Sequence, residues 1–165
     1  SEENVLWSLA PHDISLFQYF AESTPEKVSC VGIDIVQPNI HDTSITSIKY
    51  ANKIMGHIFV SWLHPFKEHR FVIIGSKGMI HFEDSIEEKP LIFYNKNIKW
   101  EENIPIPKRG AEEYIDYEFS NPLTEELKYF INCLDNNKSI NIADGDSALQ
   151  VMEILTRATS KLLKK

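Results

Sequence analysis

The chain has 165 residues and a mass of 19.1 kDa, about one domain, and can bury roughly two thirds of the surface its unfolded form exposes, so no disulfide or metal staple is required. Its 24 acidic and 17 basic residues leave a net charge of −7, which opposes the counterion release that drives nucleic-acid binding. The apolar stretches 54–66 and 71–75 are broken by His57, His64 and Gly75, well short of the ~20 residues a membrane span needs, so neither nucleic acid nor a bilayer is an expected partner.

Ser1-Glu2-Glu3 is acidic where a secretory signal is basic, so no export signal and a cytoplasmic location are expected. Residues 9–21 then place Ile14, Phe17 and Phe20/Ala21 at helical spacing, with Leu16 above Phe20, which predicts a helix with one core-facing side. Pro11 is tolerated in a first turn, so the cap is expected near Ser8 and His12 near the helix N-terminus. From Val28 to Glu83 the period changes. VSCVGIDIV, TSITSIKYAN, GHIFVSWL, RFVIIGS and MIHFED are short, rich in Val, Ile and Phe, and read as successive antiparallel strands. Turns are expected at Asn52-Lys53, at Pro65-Phe66-Lys67 and at Gly75-Ser76-Lys77-Gly78, with glycine supplying positive φ. Residues 90–94 and 97–103 extend the sheet, and 104–121, with Pro105, Pro107 and Gly110, reads as an irregular crossing.

Asn121-Pro122 opens a second helix with Leu123, Leu127, Phe130, Ile131 and Leu134 on one face. Asp144 caps a last helix whose buried stripe is Ala148, Val151/Met152, Leu155, Ala158 and Leu162, with terminal lysines offsetting the helix dipole. Helix, strands, then two helices define an α+β class: a largely antiparallel open β-sheet with helices packed on one face. The other face then needs a partner if it is apolar. Cys30 and Cys133, far apart and among apolar neighbours, read as buried free thiols of a reducing compartment. Asn137-Lys138-Ser139 fits a glycosylation acceptor, which matters only in a secreted protein.

The constellation Trp7-Ser8-Leu9-Ala10-Pro11-His12-Asp13 is the most suggestive for chemistry. Ser8 and His12 stand four apart and share a helix face, and a nearby helix N-terminus disfavours the imidazolium, leaving His12 able to act as a base. The plainer reading is that His12 packs or caps and that Asp13 compensates the helix dipole. His57, His64 and His69 have spacings and strand parities that fit no common zinc pattern, so no metal is expected.

NVLWSLAPHDISLFQYF, HIFVSWLHPFKEHRFVIIGSKGMIHFED and NPLTEELKYFINCLDNN together resemble the C-terminal domain of the Gfo/Idh/MocA oxidoreductases over nearly the whole chain. The SWLHPFK and GSKGM segments are most similar to members acting on nucleotide-linked amino sugars, such as UDP-N-acetylglucosamine 3-dehydrogenases. The resemblance implies that residues 1–165 form the substrate-binding and oligomerisation domain of an NAD- or NADP-dependent dehydrogenase. A Rossmann domain then binds the cofactor and supplies a lysine from a Glu-Lys-Pro motif. No G-x-G-x-x-G occurs in these residues, and Gly75-Ser76-Lys77-Gly78 reads as a hairpin turn, so that domain is expected outside them and no cofactor is expected within.

His12 matches the histidine of the family's Asp-x-x-x-His pattern, and Ser8 replaces the aspartate, removing a charged orienting partner. The resemblance implies that the base, His12 or the lysine of the Rossmann domain, takes a proton from a sugar hydroxyl as hydride leaves for the nicotinamide, with Trp7 and Ser8 as substrate contacts. As cationic donors, Lys67 and Arg70, with His69, are candidates to meet a substrate diphosphate, with Trp62 flanking a sugar or base. The plainer reading of 62–70 is a solvated hairpin with Trp62 in the core. Expected partners are the protein's own Rossmann domain, a nucleotide sugar, and further copies of the chain through the open sheet face. The alternative function is a non-catalytic assembly or binding module in which Ser8 marks a lost active site.

Overall fold

A computed structural model describes residues 3–108 and 110–162. Ser1 and Glu2 of the acidic start, and Lys164 and Lys165 of the dipole-offsetting tail, lie outside the described residues, whereas Lys161 stands in the last turn of its helix. The chain forms two compact units, one of residues 1–64 and 127–165 and the other of residues 65–126.

In the first unit, α1 spans Val5–Ala21. Its cap is Asn4, whose Oδ1 accepts the Trp7 N–H at 3.3 Å, while the Val5 N–H donates to the His41 carbonyl at 3.0 Å. The expected start near Ser8 is therefore corrected by four residues. Beginning at Asn4 brings Val5 and Leu6 onto the buried stripe with Ala10, Ile14 and Ala21. Burying Val5 and Leu6 is worth about 1.5–3 kcal/mol each, which outweighs the roughly 3 kcal/mol that Pro11 costs inside a helix. With the stripe set this way, Leu16 and Phe20 rotate off it. Phe20 is 50% exposed and stacks edge-on against Tyr19, and only Phe17 of the expected aromatic pair packs on the core.

Strands β1 (Pro25–Ile33), β2 (Thr43–Tyr50) and β3 (Met55–Ser61) form an antiparallel sheet in chain order. Alternation sends Val28, Cys30, Ser44, Thr46, Ile48, Tyr50, Ile58 and Val60 to the inner face, covered by α1 and by α3 (Gly145–Leu162). The β2–β3 turn is the expected Asn52-Lys53, closed by the Lys53 N–H donating to the Tyr50 carbonyl at 3.1 Å. Its positive φ, 69°, falls on Lys53, and no described glycine has one, contrary to the role assigned to glycine. Gly56 is needed for space, because a Cβ there would lie 2.6 Å from Phe17 Cδ2 and hold α1 away from β3.

In α3 the buried residues are Ile154, Leu155 and Ala158, with Val151 and Leu162 partly buried beside them, so Met152 falls to the side of the stripe and Ala148, in the first turn, is exposed. The Asp144 cap is as expected, its Oδ1 accepting the Ser147 N–H at 2.8 Å. The Arg157 guanidinium donates to the Pro25 and Glu26 carbonyls at 2.8 and 2.9 Å, fastening α3 to β1.

In the second unit, β4 (Arg70–Ile74), β5 (Met79–Glu83) and β6 (Leu91–Tyr94) are successive antiparallel strands. β7 (Asn97–Glu101) and β8 (Ile104–Lys108) make a two-stranded ribbon, and β9 (Glu112–Tyr114) returns to pair with β6. The irregular crossing expected over 104–121 thus contains two strands. Pro105 and Pro107 share one parity, so both missing N–H groups can point away from β7 while Ile104, Ile106 and Lys108 supply the ladder. α2 (Pro122–Asp135), which belongs to the first unit from Leu127 onward, has the expected cap, Asn121 Oδ1 accepting the Thr124 N–H at 3.2 Å. α2 buries Cys133, while Leu123, Leu127, Phe130, Ile131 and Leu134 stay exposed. Both cysteines are free and buried, and among the described residues no helix is long and apolar enough to cross a membrane.

Candidate functional site

Because Val5, Leu6, Ala10, Ile14 and Ala21 hold α1 to the core, the opposite side of the helix carries Ser8, His12, Ser15 and Tyr19, spaced four, three and four apart and all exposed. This stripe presents an imidazole flanked by two aliphatic hydroxyls and a phenol, donors and acceptors suited to a polyhydroxylated ligand. The helix beneath is anchored. Trp7 Nε1 donates to Thr159 Oγ1 of α3 at 2.8 Å, and Gln18 Nε2 to Gln150 Oε1 at 2.8 Å.

One expectation about this site changes: His12 lies seven residues beyond Val5, near the middle of α1 and not at its N-terminus. Trp7 is half-buried, and its indole N–H bond to Thr159 ties α1 to α3. Ser8 and His12 are brought together as the helical spacing required. Ser15 and Tyr19 were not singled out from the sequence, although the same period running on from Ser8 and His12 reaches both.

The second candidate segment divides between the units. Trp62, in the first, is 40% exposed, so it is not a core residue, and its N–H donates to the Asp42 carbonyl at 2.9 Å. Asp42 is itself buried, and its Oδ2 accepts the N–H groups of Ile35 and Val36 at 2.5 and 2.8 Å, which fixes the loop between β1 and β2. Lys67, His69 and Arg70, in the second unit, are exposed. The His69 backbone is held on both sides: its N–H donates to Ser85 Oγ at 2.5 Å, and its carbonyl accepts the Asp84 N–H at 2.8 Å. Arg70 pairs in register with Glu83 across β4 and β5. The Ser85 hydroxyl holds the Glu83 carboxyl below the usual carboxylate range, with the Ser85 N–H, His81 and Arg70 adding to the effect against a smaller opposing effect of burial.

The described residues do not fit a dinucleotide. Gly75–Gly78 is a β4–β5 turn closed by the Gly75 N–H donating to the Gly78 carbonyl at 2.9 Å, whereas phosphate cradling calls for a strand-to-helix turn. Among the described residues, no three His, Cys, Asp or Glu side chains converge as metal ligands. Burial raises the Cys30 thiol pKa despite the Thr46 and Ser44 hydroxyls, which makes it a packing residue and not a nucleophile.

Antiparallel sheets with helices packed on one face define an α+β domain. Residues 2–81, just under half of the chain, match the family model described as the GFO/IDH/MocA C-terminal domain, in line with the sequence resemblance. In this family the NAD(P)-binding domain lies elsewhere in the sequence. No curated protein matches the chain.

Among solved structures, the UDP-N-acetylglucosamine 3-dehydrogenase GnnA of Acidithiobacillus ferrooxidans superposes with a TM-score of 0.82 at 17% identity, covering 98% of this chain and 48% of that one. The WlbA dehydrogenase of Bordetella pertussis, in complex with NADH and UDP-GlcNAcA, gives 0.66 at 17% identity, covering 96% and 42%. The scyllo-inositol dehydrogenase of Lactobacillus casei, with NAD(H) and scyllo-inositol, gives 0.69 at 18% identity, covering 98% and 47%. At these identities the likeness establishes the fold, and the chain spans about half the length of the structures it matches.

Proposed function

We propose that this chain is the substrate-binding and assembly domain of an NAD(P)-dependent oxidoreductase that oxidises a hydroxyl of a nucleotide-linked amino sugar. The observation that carries the reading is the stripe Ser8–His12–Ser15–Tyr19, exposed on a helix fastened to the sheet by a buried stripe and the Trp7–Thr159 bond. His12 accepts the proton of the reacting hydroxyl, while Ser8 donates to a neighbouring sugar oxygen or to the imidazole. Lys67 and Arg70 supply cationic donors for the diphosphate. The fold shared with GnnA and WlbA supports the sugar-nucleotide class, and the polyol dehydrogenase of the same fold marks the nearest alternative substrate. The cofactor is bound by a separate domain of the same protein.

Assembly is assigned to the outer face of the first sheet. Val31, Ile45 and Phe59 align across β1, β2 and β3, and all three are exposed, a continuous apolar row in water. This row also supports the second reading, a module retained for assembly alone. Turnover separates the two readings. In the protein that joins this chain to its NAD(P)-binding domain, His12→Ala lowers kcat by about 10²–10⁴ without loss of folding, since the ring is exposed. Unchanged turnover with UDP-N-acetylglucosamine in that variant refutes the assignment of His12, and no turnover by the unmutated protein with any sugar nucleotide or polyol leaves the assembly module.

A further inference from the structure

Strands β7 and β8 form a ribbon whose two outer edges differ. Pro105 and Pro107 have no N–H to give, so they stand at non-hydrogen-bonded positions opposite Trp100 and Ile98, and the rungs of the ladder run through Asn97–Lys108, Lys99–Ile106 and Glu101–Ile104. The outer edge of β8 therefore has no donor at Pro105 or Pro107 and is closed to a further strand. On β7 the same parity turns the N–H and C=O groups of Ile98 and Trp100 outward, where no described backbone group meets them.

The ribbon is a two-stranded sheet by itself, and every residue in it except Asn97 is exposed, Trp100 at 70%. Two strands alone are marginally stable in water, and further strands stabilise them. The open edge is complementary to itself. Ile98 and Trp100 lie on one face and Lys99 and Glu101 on the other, and neither charge has an ion pair among the described residues. A two-fold axis through Lys99 sets Ile98 of each copy opposite Trp100 of the other and closes four backbone hydrogen bonds through the outward groups. The same axis brings the two Lys99 side chains together, each with a Glu101 of the other copy as its diagonal neighbour, so these four charges cancel. Lys108, in the same cross-strand row as the incoming Glu101, adds to the attraction. An axis through Trp100 uses less of the edge, because it sets Ile98 opposite Glu102, which lies in the β7–β8 turn with a φ of 50°.

We propose that the open edge of β7 pairs with the same edge of a second copy of this chain, antiparallel and centred on Lys99, so that two ribbons become one four-stranded sheet in the order β8–β7–β7–β8. The prolines end that sheet on both sides, so the contact closes at two copies and does not grow into a fibre. The surface is separate from the Val31–Ile45–Phe59 row and does not depend on it. A few hydrogen bonds and one small apolar contact make the pairing weak, and covalent trapping reads it at concentrations where the paired form is a minor fraction.

The test is disulfide formation under oxidised glutathione, in the whole chain carrying Phe59→Lys so that the apolar row takes no part. At the axis the two residues at position 99 form a non-hydrogen-bonded pair, with Cβ atoms close enough for a disulfide. Cys30 and Cys133 are buried and do not compete. Lys99→Cys with Glu101→Gln is expected to give a covalent dimer about tenfold faster than Lys99→Gln with Glu101→Cys, which has the same charge and an exposed thiol away from the axis. Adding Ile98→Pro or Trp100→Pro to the first variant removes an outward N–H that β8 does not use, and lowers the rate to that of the second. Equal rates at the two cysteine positions, or a rate that neither proline changes, overturns the proposal. Because Phe59→Lys is present in every chain compared, the result is independent of whether the Val31–Ile45–Phe59 row assembles the protein.

Discussion

Tyr50 offers a test of the core by a substitution that should help. Its side chain is 1% exposed on the inner face of β2, and its hydroxyl has no hydrogen-bond partner among the described residues. A buried hydroxyl without a partner costs about 1–3 kcal/mol, and Tyr50→Phe removes it while keeping the ring, so the variant is expected to be more stable at pH 7 by about 1 kcal/mol. The same burial pushes the phenol pKa from 10.0 up to about 12.

The unfolded tyrosine releases its proton above pH 10, whereas the folded one holds it to about pH 12. Across that window the unfolded state binds fewer protons, so this group's contribution is complete below pH 10 and is lost as pH rises through the folded value. Two pH units correspond to roughly 3 kcal/mol. Urea unfolding followed by tryptophan fluorescence at pH 7, 9, 10.5 and 11.5 reads both effects, since the other titrating groups are common to the two proteins and cancel in the difference. The advantage of Tyr50→Phe should widen above pH 10. A variant less stable at pH 7, or a difference that stays constant from pH 9 to 11.5, refutes the reasoning.

Pro11→Ala restores an N–H to the Trp7 carbonyl inside α1 and removes the ring clash, against a more flexible unfolded chain, and should raise stability by about 1–2 kcal/mol in thermal unfolding. No gain would mean that the helix has already relaxed around the proline. Phe59→Lys places a charge in the middle of the Val31–Ile45–Phe59 row. The unmutated chain should self-associate in sedimentation at tens of micromolar and the variant should be monomeric, whereas a monomeric unmutated chain counts against the assembly surface.

The elements most readable from the sequence were those with a chemical stop or start beside a strong period. Asn121-Pro122 and Asp144 capped their helices as expected, and the TSITSIKYAN segment formed a strand, β2. The class followed from the order of elements, since one helix, a run of short strands and two helices can bury their apolar sides only by laying helices on a sheet. Ser8 and His12 shared a helix face for the same local reason.

Tertiary structure decided what local pattern leaves open. Asn4 and Ser8 are both acceptable caps, and the choice between them rested on whether Val5 and Leu6 were buried by α3 and the sheet; that choice moved His12 from the helix end to its middle. Pro105 and Pro107 argued against a strand until β7 supplied a partner on the side away from their missing N–H groups. Ser85 carried no signal at all, because a serine after a strand is an ordinary turn residue, and only the pairing of β4 with β5 brings its hydroxyl onto the His69 amide while its backbone N–H meets the Glu83 carboxylate. Caps and periods are set by neighbours within a few residues, whereas the role of a buried stripe, an edge proline or a bridging serine depends on residues that meet only after the chain has folded.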